Sequence, residues 1–190
     1  MKIILGSSSK YRKAVLESAG YTFDVMSPDV DEMAIRSTDY YELPLILARA
    51  KSEAIIPNVT EPALVITGDV VVICDGELYE KPESPEQVHA WLKKYGEGYP
   101  AEISCGIVVV NTHTGKKVEE REITKILFSP IPLHVVDEFI ATGDPFSKAG
   151  GFSVQLPILK PYIKEQIGSI DSMMGMPLHI IKKLLKEVQS

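Results

Sequence analysis

The chain has 190 residues, 45% of them hydrophobic and 24% charged, the profile of a globular protein able to bury one substantial core. A net charge of −6 argues against a protein that coats nucleic acid, because polyanion binding shows as a basic balance or a basic stripe. A small anionic ligand stays open, provided that cations or a metal gather locally inside the acidic surface.

No stretch approaches the roughly 20 apolar residues of a membrane span, and the opening MKIILGSSSKYRK places its apolar run before its basic residues, the reverse of a signal peptide. The expectation is one cytoplasmic domain over residues 1–190, with neither a membrane nor a nucleic-acid polymer as partner. Cys74 and Cys105 lie in β-like apolar runs without metal-ligand spacing and read as two buried free thiols.

In chain order, Ile3-Ile4-Leu5 reads as a short strand running into Gly6 and three serines, and the spacing of Ala14, Val15, Leu16 and Ala19 predicts a helix over 12–19. Tyr21 to Met26 alternates like a second strand. An acidic segment follows at Pro28-Asp29-Val30-Asp31-Glu32, and then a buried-face helix from Leu43 to Ile56. Ala63 to Thr67 reads as a central strand that breaks at Gly68-Asp69, resumes over Val70 to Cys74, turns at Asp75-Gly76 and returns over Glu77 to Glu80. A helix over Pro85 to Tyr95, a hairpin of Ala101–Val110 with Lys117–Phe128 around Thr114-Gly115, and helices over Val135–Ala141 and Pro177–Val188 complete the series. Helices alternate with strands, some of them in hairpins, so the predicted class is α/β with a mixed sheet.

A strand that ends in Gly6-Ser7-Ser8-Ser9-Lys10 and opens a helix could cradle a phosphate on free N–H groups, with Lys10, Arg12 and Lys13 adding charge; plain N-capping by serine explains the same residues. Asp69 interrupts an apolar run, where a carboxylate is costly unless paired, hydrogen-bonded or metal-bound; a turn or bulge accounts for it equally well. Asp29, Asp31 and Glu32 could supply oxygens to Mg²⁺, although solvated loop acids are commoner. The four histidines are dispersed and support neither a zinc site nor a triad. The small residues after Lys148, Ala149-Gly150-Gly151, would let backbone approach a ligand or simply make a turn.

The order of these segments resembles the Maf nucleotide pyrophosphatase family from near the first residue to the last helix. Leu5-Gly6-Ser7-Ser8-Ser9-Lys10-Tyr11-Arg12-Lys13 is similar to its opening phosphate motif, Asp29-Val30-Asp31-Glu32 to its acidic motif, and Leu47-Ala48-Arg49-Ala50-Lys51 to the helix ending in an important lysine. Gly68-Asp69 corresponds to the segment with the general base, Glu80-Lys81-Pro82 to the next lysine motif, Lys148-Ala149-Gly150-Gly151-Phe152 with Gln155 to the late substrate motif, and Gly168-Ser169 through Gly175-Met176-Pro177 to the closing motif. Lys10-Tyr11 stands where bacterial members have Pro-Arg, Val70 where a threonine is usual, and Phe146-Ser147 and Asp171 resemble a eukaryotic branch.

The resemblance implies an elongated, two-lobed α/β fold with a central cleft, related to the inosine triphosphatases and commonly a homodimer. It implies hydrolysis of nucleoside triphosphates to monophosphate and pyrophosphate with Mg²⁺ or Mn²⁺. Asp69, Glu32, Lys51 and Lys81 would be catalytic, Glu32 (with Asp31) and Asp69 near the metal, and Ser7, Ser8, Ser9, Tyr11, Arg12, Val70, Lys148 and Gln155 would contact substrate. Gln155 matches the residue of pyrimidine-preferring members, so a pyrimidine or modified base is expected. The rival readings are a nucleotide-binding regulator of cell division without catalysis and an inosine-triphosphatase-like purine enzyme.

Overall fold

A computed structural model describes residues 1–190. The chain forms β1 (Lys2–Gly6), α1 (Lys10–Ser18), β2 (Asp24–Val25), α2 (Leu43–Ile55), β3 (Ala63–Cys74), β4 (Glu77–Tyr79), α3 (Pro85–Gly96), β5 (Ala101–Asn111), β6 (Lys117–Phe128), α4 (Leu133–Ala141), β7 (Ile163–Ile167), α5 (Ile170–Met173) and α6 (Leu178–Glu187), with short 3₁₀ turns between them. The strands make one seven-stranded sheet in the order β2-β1-β3-β5-β6-β7, with β4 added to β3. β1 is parallel to both β2 and β3, whereas β3–β4 and β6–β7 are antiparallel, so the sheet is mixed as its sequence pattern predicts.

Contacts divide the chain into two compact units, one made of Met1–Val70, Cys105–Glu122 and Asp171–Ser190, the other of Val71–Ser104 and Ile123–Ile170. In the first unit β3 and β5 are apolar on both faces because both are covered. On β3, Leu64 and Ile66 join the cluster of α1 and α6, with Val15, Leu16, Ile180 and Leu184, while Ala63 and Val65 pack against Ile55 of α2. β5 divides in the same way: Cys105, Ile107 and Val109 point to the α1/α6 cluster, Val108 and Val110 to Leu45 and Ala48 of α2. Successive strand side chains point to opposite faces, so two-sided cover turns an alternating pattern into a continuous apolar run.

The second unit has an aromatic core. Tyr79 stacks on Trp91 with centroids 4.4 Å apart, and Tyr95 and Phe128 both present edges to Phe152 at 5.4 Å. Asp75 and Gly76 take positive φ values of 52° and 76°, the backbone required by the two-residue turn between β3 and β4.

Two expectations need correction, and one strand has no counterpart in the sequence pattern. β3 runs without a break from Ala63 to Cys74, so Gly68-Asp69 lies inside a strand and makes neither a turn nor a gap. The second strand shrinks to Asp24–Val25, both exposed, because few backbone partners lie at that sheet edge. β7 was not foreseen: Lys164, Glu165 and Gln166 are exposed on an edge strand and lack the apolar alternation that marks a half-buried one.

Cys74 and Cys105 are buried free thiols, as their apolar context predicts. Burial raises the Cys74 thiol above its ordinary range and pushes Cys105 up to about 12. The reactive thiolate is therefore scarce at neutral pH. In the native protein at pH 8 neither cysteine should react with a disulfide reagent, and both should titrate in guanidinium chloride; rapid native labelling of Cys105 would contradict its packing.

Candidate active site

Strand and helix periodicities bring the central pair together. Thr67 and Asp69 are two apart on β3 and share a face; Ala48 and Lys51 are three apart on α2 and share another. The buried Thr67 hydroxyl donates to the Ala48 carbonyl at 2.8 Å. One residue pair further along, Lys51 Nζ lies 2.6 Å from Asp69 Oδ1. Lys51 is 4% exposed and Asp69 8%, so this ion pair is screened from water.

Two more charges complete the cluster. Glu32, on the 3₁₀ turn Glu32–Ala34, places Oε1 3.0 Å from the same Lys51 Nζ. Arg12, buried on α1, places Nη2 3.7 Å from Asp69 Oδ1, while its Nη1 donates to Ser7 Oγ at 3.2 Å and its Nε to the Gly175 carbonyl at 3.1 Å. Gly175 has φ of 76°, which strains any other residue, and a Cβ there would stand 3.1 Å from Arg12 Nε and press on the guanidinium. Glu32, Lys51, Asp69 and Arg12 thus form one cluster of two acids and two bases.

The serines of the first loop are partly committed to the fold. Ser9 Oγ accepts from the Arg12 amide at 3.4 Å as the N-cap of α1, and Ser7 Oγ accepts from the Ser9 amide at 3.2 Å as well as from Arg12. N-capping therefore holds for Ser9, and Ser7 orients the arginine; Ser8 is exposed. Asp31 is likewise a cap: its Oδ1 accepts from the amides of Met33 and Ala34 at 3.1 and 3.3 Å, which shapes the turn that carries Glu32. Asp29 is an exposed loop acid.

Val70 is partly buried against the α1/α6 core cluster, whereas Tyr11 is 39% exposed. Lys81, Lys148 and Gln155 belong to the second unit; Lys81 and Gln155 are exposed and Lys148 is half-buried. The glycines after Lys148 serve packing within that unit. Gly150 has φ of 71°, a Cβ there would lie 2.8 Å from Val72 Cγ1, and its carbonyl accepts from Tyr95 Oη at 3.1 Å.

No group of three or more His, Cys, Asp or Glu side chains is arranged to hold a metal. Glu32 and Asp69 nevertheless converge, each with an oxygen within 3.0 Å of one lysine nitrogen. Two hard carboxylates at one point suit Mg²⁺ or Mn²⁺ shared with a phosphate, since Mg²⁺ takes one or two carboxylates and fills its shell with water and substrate oxygens. Thr67 and the Gly175 carbonyl were not among the candidates: a threonine inside an apolar strand carries no chemical signal, and a carbonyl carries none at all.

Removing Lys51 would leave Asp69 buried with Arg12 alone, at 3.7 Å. Lys51→Ala should therefore cost roughly 3 kcal/mol in urea unfolding, the scale for breaking a buried pair, while Lys81→Ala should leave the transition in place. Equal midpoints for the two variants would show that the Lys51–Asp69 pair is not buried in solution.

A family profile described as Maf-like protein matches residues 2–188. A 7-methyl-GTP pyrophosphatase of Dictyostelium discoideum is 37% identical, covering 98% of this chain and 96% of that one. A dTTP/UTP pyrophosphatase of Clostridium beijerinckii is 32% identical over the whole of both chains. Among solved structures, a HAM1 protein of Coxiella burnetii aligns with 98% of this chain and 99% of that one at a TM-score of 0.53 and 12% identity, a likeness of fold.

Proposed function

The chain belongs to the Maf-like family, and from that premise we propose that it is a hydrolase that cleaves nucleoside triphosphates to the monophosphate and pyrophosphate at the Asp69 cluster. The observation that carries this reading is the buried Asp69 carboxylate held between Lys51 and Arg12 beside Glu32. A protein that merely held a nucleotide would gain nothing from a buried acid directed at the same point as its cations.

Both cations approach Oδ1 of Asp69, which leaves Oδ2 as the oxygen to accept a proton from the attacking water. That water attacks the α-phosphorus, the bond to the bridging oxygen breaks, and pyrophosphate leaves with the electron pair. Phosphoryl transfer of this kind demands positioning and charge neutralisation rather than a protein nucleophile. Lys51 and Arg12 supply positive charge at the site, and Lys81 and Lys148 are assigned to the polyphosphate from their places in the family motifs.

The cluster sums to no net charge: Glu32 and Asp69 offset Lys51 and Arg12. A polyphosphate therefore calls for further positive charge, and we propose Mg²⁺ or Mn²⁺ as cofactor, with Glu32 and Asp69 as the residues that would hold it. Such an ion would neutralise the leaving pyrophosphate and polarise phosphate oxygens. A cytoplasmic homodimer is part of the same proposal and rests on the family resemblance; no helix is long and apolar enough to cross a membrane.

For the base we propose a pyrimidine or a modified purine. Gln155 occupies the family's late substrate motif on the exposed surface, and a glutamine amide can give both a donor and an acceptor to a ring edge. Tyr11 is partly exposed in the opening motif, at the position where the resemblance gives the bacterial form of that motif an arginine, so a stacked base would meet an aromatic face instead of a cation.

A panel of nucleoside triphosphates with Mg²⁺ or Mn²⁺, read separately for pyrophosphate and orthophosphate, should give pyrophosphate; orthophosphate alone would place the cleavage elsewhere. Asp69→Asn should lower turnover at least ~10²-fold, the low end for a lost general base. It should still fold, because Lys51 keeps Glu32 at 3.0 Å. Near-normal turnover would remove Asp69 from its role. Gln155→Ala should narrow the rate differences among UTP, dTTP, CTP, 7-methyl-GTP and GTP more than it slows the poorest of them, since losing a specific polar contact penalises the ligand that used it. A uniform fall would take base reading away from Gln155.

A further inference from the structure

Asp69 meets Arg12 at 3.7 Å, longer than a hydrogen bond, although a free guanidinium beside a buried carboxylate would close to a forked pair. Something holds Arg12 at that distance. Part of the restraint is Ser7; the rest is the Gly175 carbonyl, which takes Nε at 3.1 Å. That carbonyl belongs to a turn closed by the Gly175 amide donating to the Ser172 carbonyl at 2.9 Å and the Met176 amide to the Asp171 carbonyl at 2.9 Å.

The turn is itself fastened at two points. Asp171 Oδ2 accepts from the Leu178 amide at 2.7 Å, tying it to the start of α6. On the other side the hydroxyl of Ser172, wholly buried, donates to Glu122 Oε2 near the middle of β6, while Glu122 Oε1 stands 3.6 Å from His179 Nε2. A serine hydroxyl buried against a carboxylate is a directional fixture, costly to break once both groups are withdrawn from water.

We propose that Ser172 and Glu122 are positioning residues for hydrolysis: through the Gly175 turn they hold the Arg12 guanidinium off Asp69, keeping the carboxylate available as base and the cation available to phosphate. The path runs from Glu122 to Ser172, along the turn to the Gly175 carbonyl, and on to Arg12 and Asp69, every step within one compact unit. Neither residue touches the reacting atoms. The proposal rests on the reading of Asp69 as the base.

A double-mutant cycle on pyrophosphate release tests it. Ser172→Ala should lower kcat about tenfold with KM changed less than about twofold, the scale of a slightly misplaced catalytic group, and should cause no further loss when Arg12 is already alanine. Glu122→Ala should behave in the same way, while Glu122→Gln, whose amide oxygen still accepts from Ser172, should retain most of the activity. A loss from Ser172→Ala that persists undiminished in the Arg12→Ala background, or wild-type kcat in both Ser172→Ala and Glu122→Ala, would overturn the proposal. Should Ser172→Ala fail to fold, the Glu122 pair decides by the same criteria. If the wild-type protein releases no pyrophosphate from any nucleotide, the enzymatic reading fails, and the cycle read as urea midpoints still judges the connection: additive midpoints for Ser172→Ala and Arg12→Ala would refute it.

Discussion

The buried pair of Lys51 and Asp69 is the constraint around which the first unit is arranged. Taking an ammonium and a carboxylate out of water is expensive, and apolar residues of the same volume often serve stability as well or better. A fold gains little from such a pair in itself, so its presence among packed aliphatic side chains is better explained by what the charges do. The fold's part is to make the approach exact enough to offset desolvation. Thr67 fastens the Ala48 carbonyl one helical turn before Lys51, and α2 buries Leu45, Ala48 and Ile55 against strands on both sides of that point. A second fixture lies further out on the same helix, where Arg49 holds Glu119 of β6 through Nε at 2.8 Å and also reaches Glu42 at 3.1 Å. That pair is a third exposed and its hydrogen bonds keep the Glu119 carboxyl below its ordinary range, so it restrains geometry while adding little to stability.

Most of the fold could be read from the amino-acid pattern, and the reasons are local. α2 and the long strands β3, β5 and β6 are bounded within a residue or two of where periodicity puts them: two-sided cover makes β3 and β5 uninterrupted apolar runs, β6 is marked by the Thr114-Gly115 turn that pairs it with β5, and α2 by its buried face. What could not be read is edge structure. β7 is held by backbone pairing to one neighbour with its side chains exposed, so its composition resembles a loop, and β2, signalled by the alternation of Tyr21 to Met26, pairs over only two of those residues. Hydrophobicity alone puts a break at Gly68-Asp69, where β3 in fact continues. A carboxylate with a lysine 2.6 Å away can occupy an interior strand position without disturbing the ladder.

The site divides along similar lines. Arg12, Glu32 and Asp69 stand out in the sequence as charges beside a serine loop, in an acidic segment and inside an apolar run, whereas Lys51, late in a helix, reads as an ordinary exposed lysine and is singled out only by the family resemblance; the four converge, with Lys51 buried. Distances in sequence gave no hint of which would pair, since Lys51 and Asp69 meet only when a helix face and a strand face oppose each other. The glycine and serine signals were less dependable. Gly150 is explained by Val72 and Tyr95, Ser9 by the start of α1, and Asp31 by the turn behind Glu32. In each case a residue type suited to ligand binding was also the one the backbone needed, and composition cannot separate those uses.

Charge balance then sets how this arrangement can serve an anionic substrate. With two carboxylates already set against two cations, each phosphate oxygen that enters competes with Asp69 or Glu32 for Lys51 and Arg12. Glu32 is the easier to displace: its side chain is half exposed, against about a tenth for Asp69, so losing the lysine returns it to water instead of leaving it stranded. The weaker tie is therefore the one expected to yield as a phosphate arrives, freeing a carboxylate beside the new negative charge. The divalent cation proposed above would be shared by both anions, and Glu32, half exposed on a capped surface turn, is the member of the cluster that can move toward it at the lower cost.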